Sequence, residues 1–295
     1  MALVCPASPT ASRGMLRRAA EATRALGLDP VLGPHAARRS RFLAGADDER
    51  LSDLHWAFSD SSVKGVISIR GGYGTIRLLP HVDWSLVRRH PKVFVGMSDV
   101  TAFQAAALRC DVVTFAGPMP AFGRQARLTQ WAASGFWAAV GEGGPGVTIS
   151  HAPGDPAPVV IRGGRARGAL VGGNLATLVS LMGTPWELQL RQRIVILEDV
   201  GEAPYRVDRM LTQLILSGRF EDVAGVACGR FHECYKLSER EIIDVIAERI
   251  GSLGIPTVYG LAVGHQRDIA TWPQGCRAEL DADNHVLRLL QPGVV

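Results

Sequence analysis

Through residue 110, short apolar runs of strand character alternate with segments of helical periodicity, and that alternation admits few folds. The strand candidates are residues 3–5, 31–32, 66–69 and 92–95, with 112–115 as a further one. Between them, residues 12–26 place Met15, Ala19, Ala22 and Leu26 on one helical face and stop at Gly27. Asp47-Asp48-Glu49-Arg50 puts negative charge on the start of a second helix, with Leu51, Leu54 and Phe58 as its inner face. Parallel neighbours need a crossover long enough to hold a helix, so strands alternating with helices predict a doubly wound parallel α/β sheet.

The pattern changes further on. Residues 141–164 are crowded with Gly and Pro and lack helical periodicity, which predicts a linker between an N-terminal α/β domain at 1–140 and a C-terminal domain at 165–295. In the second half, Asn174 is positioned to cap a short helix through Leu175, Leu178 and Leu181. Strands are expected at 193–197, 223–228 and 257–263. Pro204 opens one helix, Ser238 and Glu241 form a capping box for another, and residues 276–290 read as a closing hairpin.

The chemistry lies where strands end. Ligands bind outside the carboxyl ends of strands in open α/β sheets. At those positions stand Ser98, after Gly96-Met97; Glu198, after the strand at 193–197; and His265, after the strand at 257–263. A serine hydroxyl needs a base to take its proton, a histidine near neutral pKa can be that base, and a carboxylate can fix its tautomer. Gly96-Met97-Ser98-Asp99-Val100 lacks the second glycine of a G-x-S-x-G elbow, so on local grounds Ser98 could equally be a helix cap. Arg70-Gly71-Gly72-Tyr73-Gly74 is a fourth strand exit. It fails the dinucleotide spacing, since arginine stands at 77, and suits an oxyanion hole made by the N–H groups of Gly72 and Asp99.

Other classes are disfavoured. At 295 residues the chain can bury roughly 75 % of its unfolded surface, so it needs no disulfide or metal staple. A net charge of +4 spread along the sequence gives no stripe for nucleic acid. No apolar run reaches the ~18 residues of a membrane span, and the first residues lack a signal-peptide pattern. Five irregularly spaced cysteines suit reduced thiols in a cytoplasm. Cys228, His232 and Cys234 match no usual zinc spacing, so neither metal nor cofactor is expected.

Several motifs occur together in one order: Phe42-Leu43-Ala44-Gly45, Asp47-Asp48-Glu49-Arg50-Leu51, Arg70-Gly71-Gly72-Tyr73-Gly74, Gly96-Met97-Ser98-Asp99, Gly172-Gly173-Asn174-Leu175, Leu197-Glu198-Asp199-Val200-Gly201-Glu202 and Val263-Gly264-His265. In this the chain resembles the LD-carboxypeptidases, serine peptidases that also include the microcin C immunity proteins. The resemblance spans nearly the whole chain, departing at Cys5, where alanine is more usual. It implies a flavodoxin-like N-terminal domain, a smaller, β-rich α/β C-terminal domain and a cytoplasmic homodimer. It also implies a Ser98-Glu198-His265 triad and a backbone oxyanion hole at Gly72 and Asp99. The implied reaction is release of a terminal D-amino acid from an L-D bond, as in murein tetrapeptides during cell-wall recycling. The alternatives are hydrolysis of a peptidyl-nucleotide, as by the immunity proteins, or non-catalytic binding of a small molecule. A terminal carboxylate calls for an arginine clamp; Arg70, Arg206 and Arg230 lie near strand ends, and Arg70, Tyr73 and Arg230 are the candidate substrate contacts.

Overall fold

A computed structural model describes residues 1–120, 128–141, 146–234 and 238–294. The first half runs β1 (Ala2–Val4), α1 (Arg13–Ala25), β2 (Val31–Leu32), α2 (Asp47–Ser59), β3 (Gly65–Ser68), α3 (Trp84–Arg89), β4 (Val93–Gly96), α4 (Thr101–Leu108), β5 (Phe115–Ala116) and α5 (Gln130–Val140). The second half runs β6 (Thr148–Ile149), β7 (Val159–Arg162), β8 (Arg165–Asn174), α6 (Leu175–Ser180), β9 (Arg193–Glu198), α7 (Pro204–Leu216) and β10 (Gly225–Gly229). It continues through α8 (Arg240–Arg249), β11 (Thr257–Leu261), β12 (Trp272–Pro273), β13 (Arg277–Asp281) and β14 (Val286–Leu289).

The first sheet has the order β2-β1-β3-β4-β5 with every pair parallel, which is the flavodoxin-like order. β12, far along the sequence, adds to its edge antiparallel to β5. The order reverses between β1 and β3, so the chains leaving those strands diverge and open a crevice at their carboxyl ends. In the second sheet β8, β9, β10 and β11 form a parallel centre, flanked by antiparallel β13, β14 and β6 on one side and β7 on the other. β6 and β7 come from the expected linker at 141–164, of which 142–145 lie outside the described residues.

Burial explains the local choices. β1 and β3 are covered on both faces and are apolar throughout but for Ser68. α1 buries Leu16, Ala19, Ala22 and Thr23, so its inner face is turned slightly from the expected one, and Met15 and Leu26 lie at its flanks. The Thr23 hydroxyl is reconciled with burial by donating to Ala19 O at 2.8 Å. β5 is shorter than the expected 112–115 strand, and α8 starts at Arg240 with Glu239, not Ser238, at its N-cap. One apolar core unites the halves: Ala102, Ala105 and Ala106 of α4 pack with Leu175 and Leu178 of α6 and Val195 and Leu197 of β9.

Candidate active site

Ser98 sits at the turn from β4 into α4 with φ 65°, one of seven described non-glycine residues in the left-handed region. A serine pays roughly 1 kcal/mol there, and such strain at a strand-to-helix turn pushes the hydroxyl out of the sheet. The flanks hold the turn in place. The rings of Phe94 of β4 and Phe103 of α4 pack at a tilt with 4.4 Å between centroids, a contact of about 0.5–1.5 kcal/mol. Buried Gln104 donates through Nε2 to Gly96 O at 3.0 Å and Phe115 O at 2.8 Å, tying the ends of β4 and β5 to α4.

Glu198 ends β9, and His265 lies four residues past the end of β11. His265 Nδ1 and Glu198 Oε2 are in direct hydrogen-bond contact, with the residues 4 % and 2 % exposed. β10 lies between their strands, and its last residue, Gly229, lets them meet. A Cβ there would stand 3.2 Å from Glu198 Cβ and 3.0 Å from Gly264 N. Gln266 shapes the turn around His265 by accepting from Gly264 N at 3.1 Å and donating to Leu261 O at 3.0 Å. Burial alone would lower the His265 pKa, but the charge and hydrogen bond of Glu198, with the charge of Asp199, outweigh it and raise the pKa above its ordinary value.

Two contacts bring the elbow to this pair. Met97, beside Ser98, packs with Met119 and with Ile269, four residues after His265. Asn174 N donates to Thr101 Oγ1 at 3.2 Å, and Asn174 is the register partner of Glu198. Glu198 and His265, predicted at two strand exits, are thus in contact, and the turn that carries Ser98 is tied to the elements around them through Met97 and Thr101.

The glycine loop forms a fourth wall. Gly71 lies so close to Ser98 that a Cβ on it would come within 2.7 Å of Ser98 Cβ and 3.3 Å of Asp99 N. Asp99 fixes the loop to the elbow by accepting from Thr75 N at 2.8 Å. Fully buried Arg50 donates to the carbonyls of Pro6 and Gly74 and pairs with Asp47, so it joins the loops after β1 and β3. Tyr73 N donates to Ser8 Oγ at 3.1 Å, and the Tyr73 ring, 49 % exposed, lies 5.7 Å from Phe42. The arginines are differently engaged. Arg70 donates to Pro9 O and Gly71 O, Arg206 pairs with Glu202, and Arg230 binds both Glu239 oxygens at 2.6 Å.

Residues 1–117 match the LD-carboxypeptidase N-terminal domain, and residues 167–280 match the LD-carboxypeptidase C-terminal domain. The chain belongs to the LD-carboxypeptidase family. Relatives in this family include the murein tetrapeptide carboxypeptidase of Pseudomonas aeruginosa, 32 % identical over 96 % of this chain and 93 % of that protein. The crystal structure of the Oxalobacter formigenes muramoyltetrapeptide carboxypeptidase superposes with a TM-score of 0.83 at 32 % identity, covering 98 % of this chain and 97 % of that one. The MccF-like protein of Bacillus anthracis gives a TM-score of 0.88 at 26 % identity, covering 98 % and 96 %. No helix among the described residues of this LD-carboxypeptidase family member is long and apolar enough to cross a membrane. No group of three His, Cys, Asp or Glu among them could hold a metal. Sequence reasoning missed Gly229, Gln104 and Thr101; nothing in their local sequence reveals that they meet partners on other strands.

Proposed function

We propose that this chain is a serine-type LD-carboxypeptidase that releases the terminal D-amino acid from a murein-type peptide. Ser98 Oγ attacks the carbonyl of the L-D bond while His265 takes its proton. Glu198 holds Nδ1, which assigns Nε2 to the proton transfer. The tetrahedral oxyanion is received by the N–H groups of Asp99 and Gly72. His265 then protonates the leaving amine, and water hydrolyses the Ser98 acyl-enzyme with His265 again as base. The observations that support this assignment are the buried His265–Glu198 bond and a serine held at φ 65° on the turn from β4 into α4. Tyr73, Arg70 and Arg230 are assigned to substrate contact at the rim, with the terminal carboxylate as the group an arginine would read. Five free cysteines fit action in a reducing cytoplasm, and a homodimer is the proposed assembly.

Likeness to MccF-type proteins supports a second reading, immunity-type hydrolysis of a peptidyl nucleotide. A panel of murein tetrapeptides, all-L peptides and aspartyl sulfamoyl adenosine, with products read by mass spectrometry, separates the two. Loss of one D-residue from the tetrapeptide alone is expected. Cleavage of the sulfamoyl nucleoside alone would move the chain to the immunity-type reaction, and cleavage of nothing would leave a binding protein.

A further inference from the structure

Asp199 is 2 % exposed and follows Glu198 directly, yet the triad does not use it. Three donors surround its carboxylate: Asn174 Nδ2 at 2.9 Å and Val200 N at 2.8 Å on Oδ1, and Ala176 N at 2.9 Å on Oδ2. Asn174 passes the connection on, because its own N–H donates to Thr101 Oγ1 at 3.2 Å, in the first turn after Ser98. The path from Asp199 to the nucleophile turn therefore runs through Asn174 and the Thr101 hydroxyl, from the end of the second sheet's β8 to the helix that follows β4. We infer that Asp199 is a positioning residue for hydrolysis, holding the Ser98 turn and the Glu198–His265 pair in one frame and adding its charge to the field at His265.

This inference rests on the triad proposed above. A cap on a short helix can be made by a neutral serine or asparagine. Here a second carboxylate is buried beside Glu198, and burial followed by that neighbouring charge pushes the Asp199 pKa up to about 6. Such a charge works against folding, and it favours the imidazolium of His265, whose raised pKa includes Asp199 among its causes. The titratable groups that interact with it are Glu198 at the end of β9, Cys234 after β10 and His265 after β11.

The test compares wild type with Asp199→Asn, Thr101→Val, Thr101→Ser and Ser98→Ala on a murein tetrapeptide, measuring kcat, KM, the pH profile of kcat/KM and the melting temperature. Asp199→Asn should lower kcat about tenfold with little change in KM. It should also move the acidic limb down by about 0.5 pH unit, because His265 loses a neighbouring negative charge. Thr101→Val should lower kcat without moving the limb, and Thr101→Ser should restore it. Wild-type kcat and limb in Asp199→Asn would overturn the inference, as would a loss of kcat with the limb unmoved. If Asp199→Asn does not fold, the Thr101 pair decides the coupling: equal activity of Val and Ser variants overturns it. Full activity of Ser98→Ala would instead remove the triad itself, so the two failures are distinct.

Discussion

Placing a methyl group at position 71 perturbs the proposed site with the least change elsewhere. Gly71 is not in the left-handed region, so alanine is permitted by the backbone and the effect is steric. The new Cβ would stand 2.7 Å from Ser98 Cβ and 2.9 Å from Ser98 Oγ. Non-bonded carbons settle at about 3.5–4.0 Å, so Ser98 or the loop must yield by about 1 Å. A misplacement of about 1 Å at reacting groups costs roughly 100-fold, or about 2.7 kcal/mol in the barrier. We therefore expect Gly71→Ala to lower kcat/KM on an L-D tetrapeptide about 100-fold while the protein stays folded. Gly135→Ala is the control, since nothing lies within 4 Å of a Cβ there. It should keep full activity and gain about 0.5–1 kcal/mol from the removal of a helix glycine. A folded Gly71→Ala protein with kcat/KM within about twofold of wild type would refute the placement of Ser98 as reacting group.

Gly229→Ala should loosen the Glu198–His265 pair, because the new Cβ would stand 3.0 Å from Gly264 N; a kcat loss of about tenfold is expected, and unchanged kcat would count against the pair. The raised pKa of His265 makes a pH prediction: the acidic limb of kcat/KM lies above pH 6.5, the ordinary histidine value. The same shift enters stability, since the folded state holds the His265 proton more tightly than the unfolded chain. That stabilisation is full below about pH 6.5 and is lost as pH rises through the raised folded value. His265→Gln should therefore lose more melting temperature against wild type at low pH than at high pH, and the reverse order would contradict the sign. Arg50→Met removes the guanidinium that donates to the Pro6 and Gly74 carbonyls and takes away one of the two arginines paired with Asp47, leaving Arg77. Asp47 is one-third exposed, so a loss of about 2–3 kcal/mol is expected in urea unfolding, below the range for a fully buried pair.

The parallel strands of the first sheet were legible because β1 to β4 are short apolar runs separated by segments that can hold a helix, while β5 lies at the end of the expected 112–115 run. Ser98, Glu198 and His265 were legible as candidates because all three follow such runs, and the Gly71 loop because consecutive glycines stand out. The ten-residue β8, Arg165-Ala166-Arg167-Gly168-Ala169-Leu170-Val171-Gly172-Gly173-Asn174, did not read as a strand. Its glycines and arginines suppress the apolar signal, and its pairing with β9 and β13 supplies the order instead. β12 is only Trp272-Pro273, a length set by its partner β5 and not by local preference. Gly229 illustrates the limit most clearly. Its role depends on β10 lying between the strands that carry Glu198 and His265, and that neighbour relation is tertiary.

Turnover of a murein tetrapeptide by Ser98→Ala, with product D-residue followed by mass spectrometry and folding checked by the melting temperature, tests the central claim most directly. The proposed chemistry predicts a folded protein whose kcat falls by at least ~10³, the scale of losing a triad member. A folded Ser98→Ala protein that releases the D-residue at the wild-type rate would contradict it.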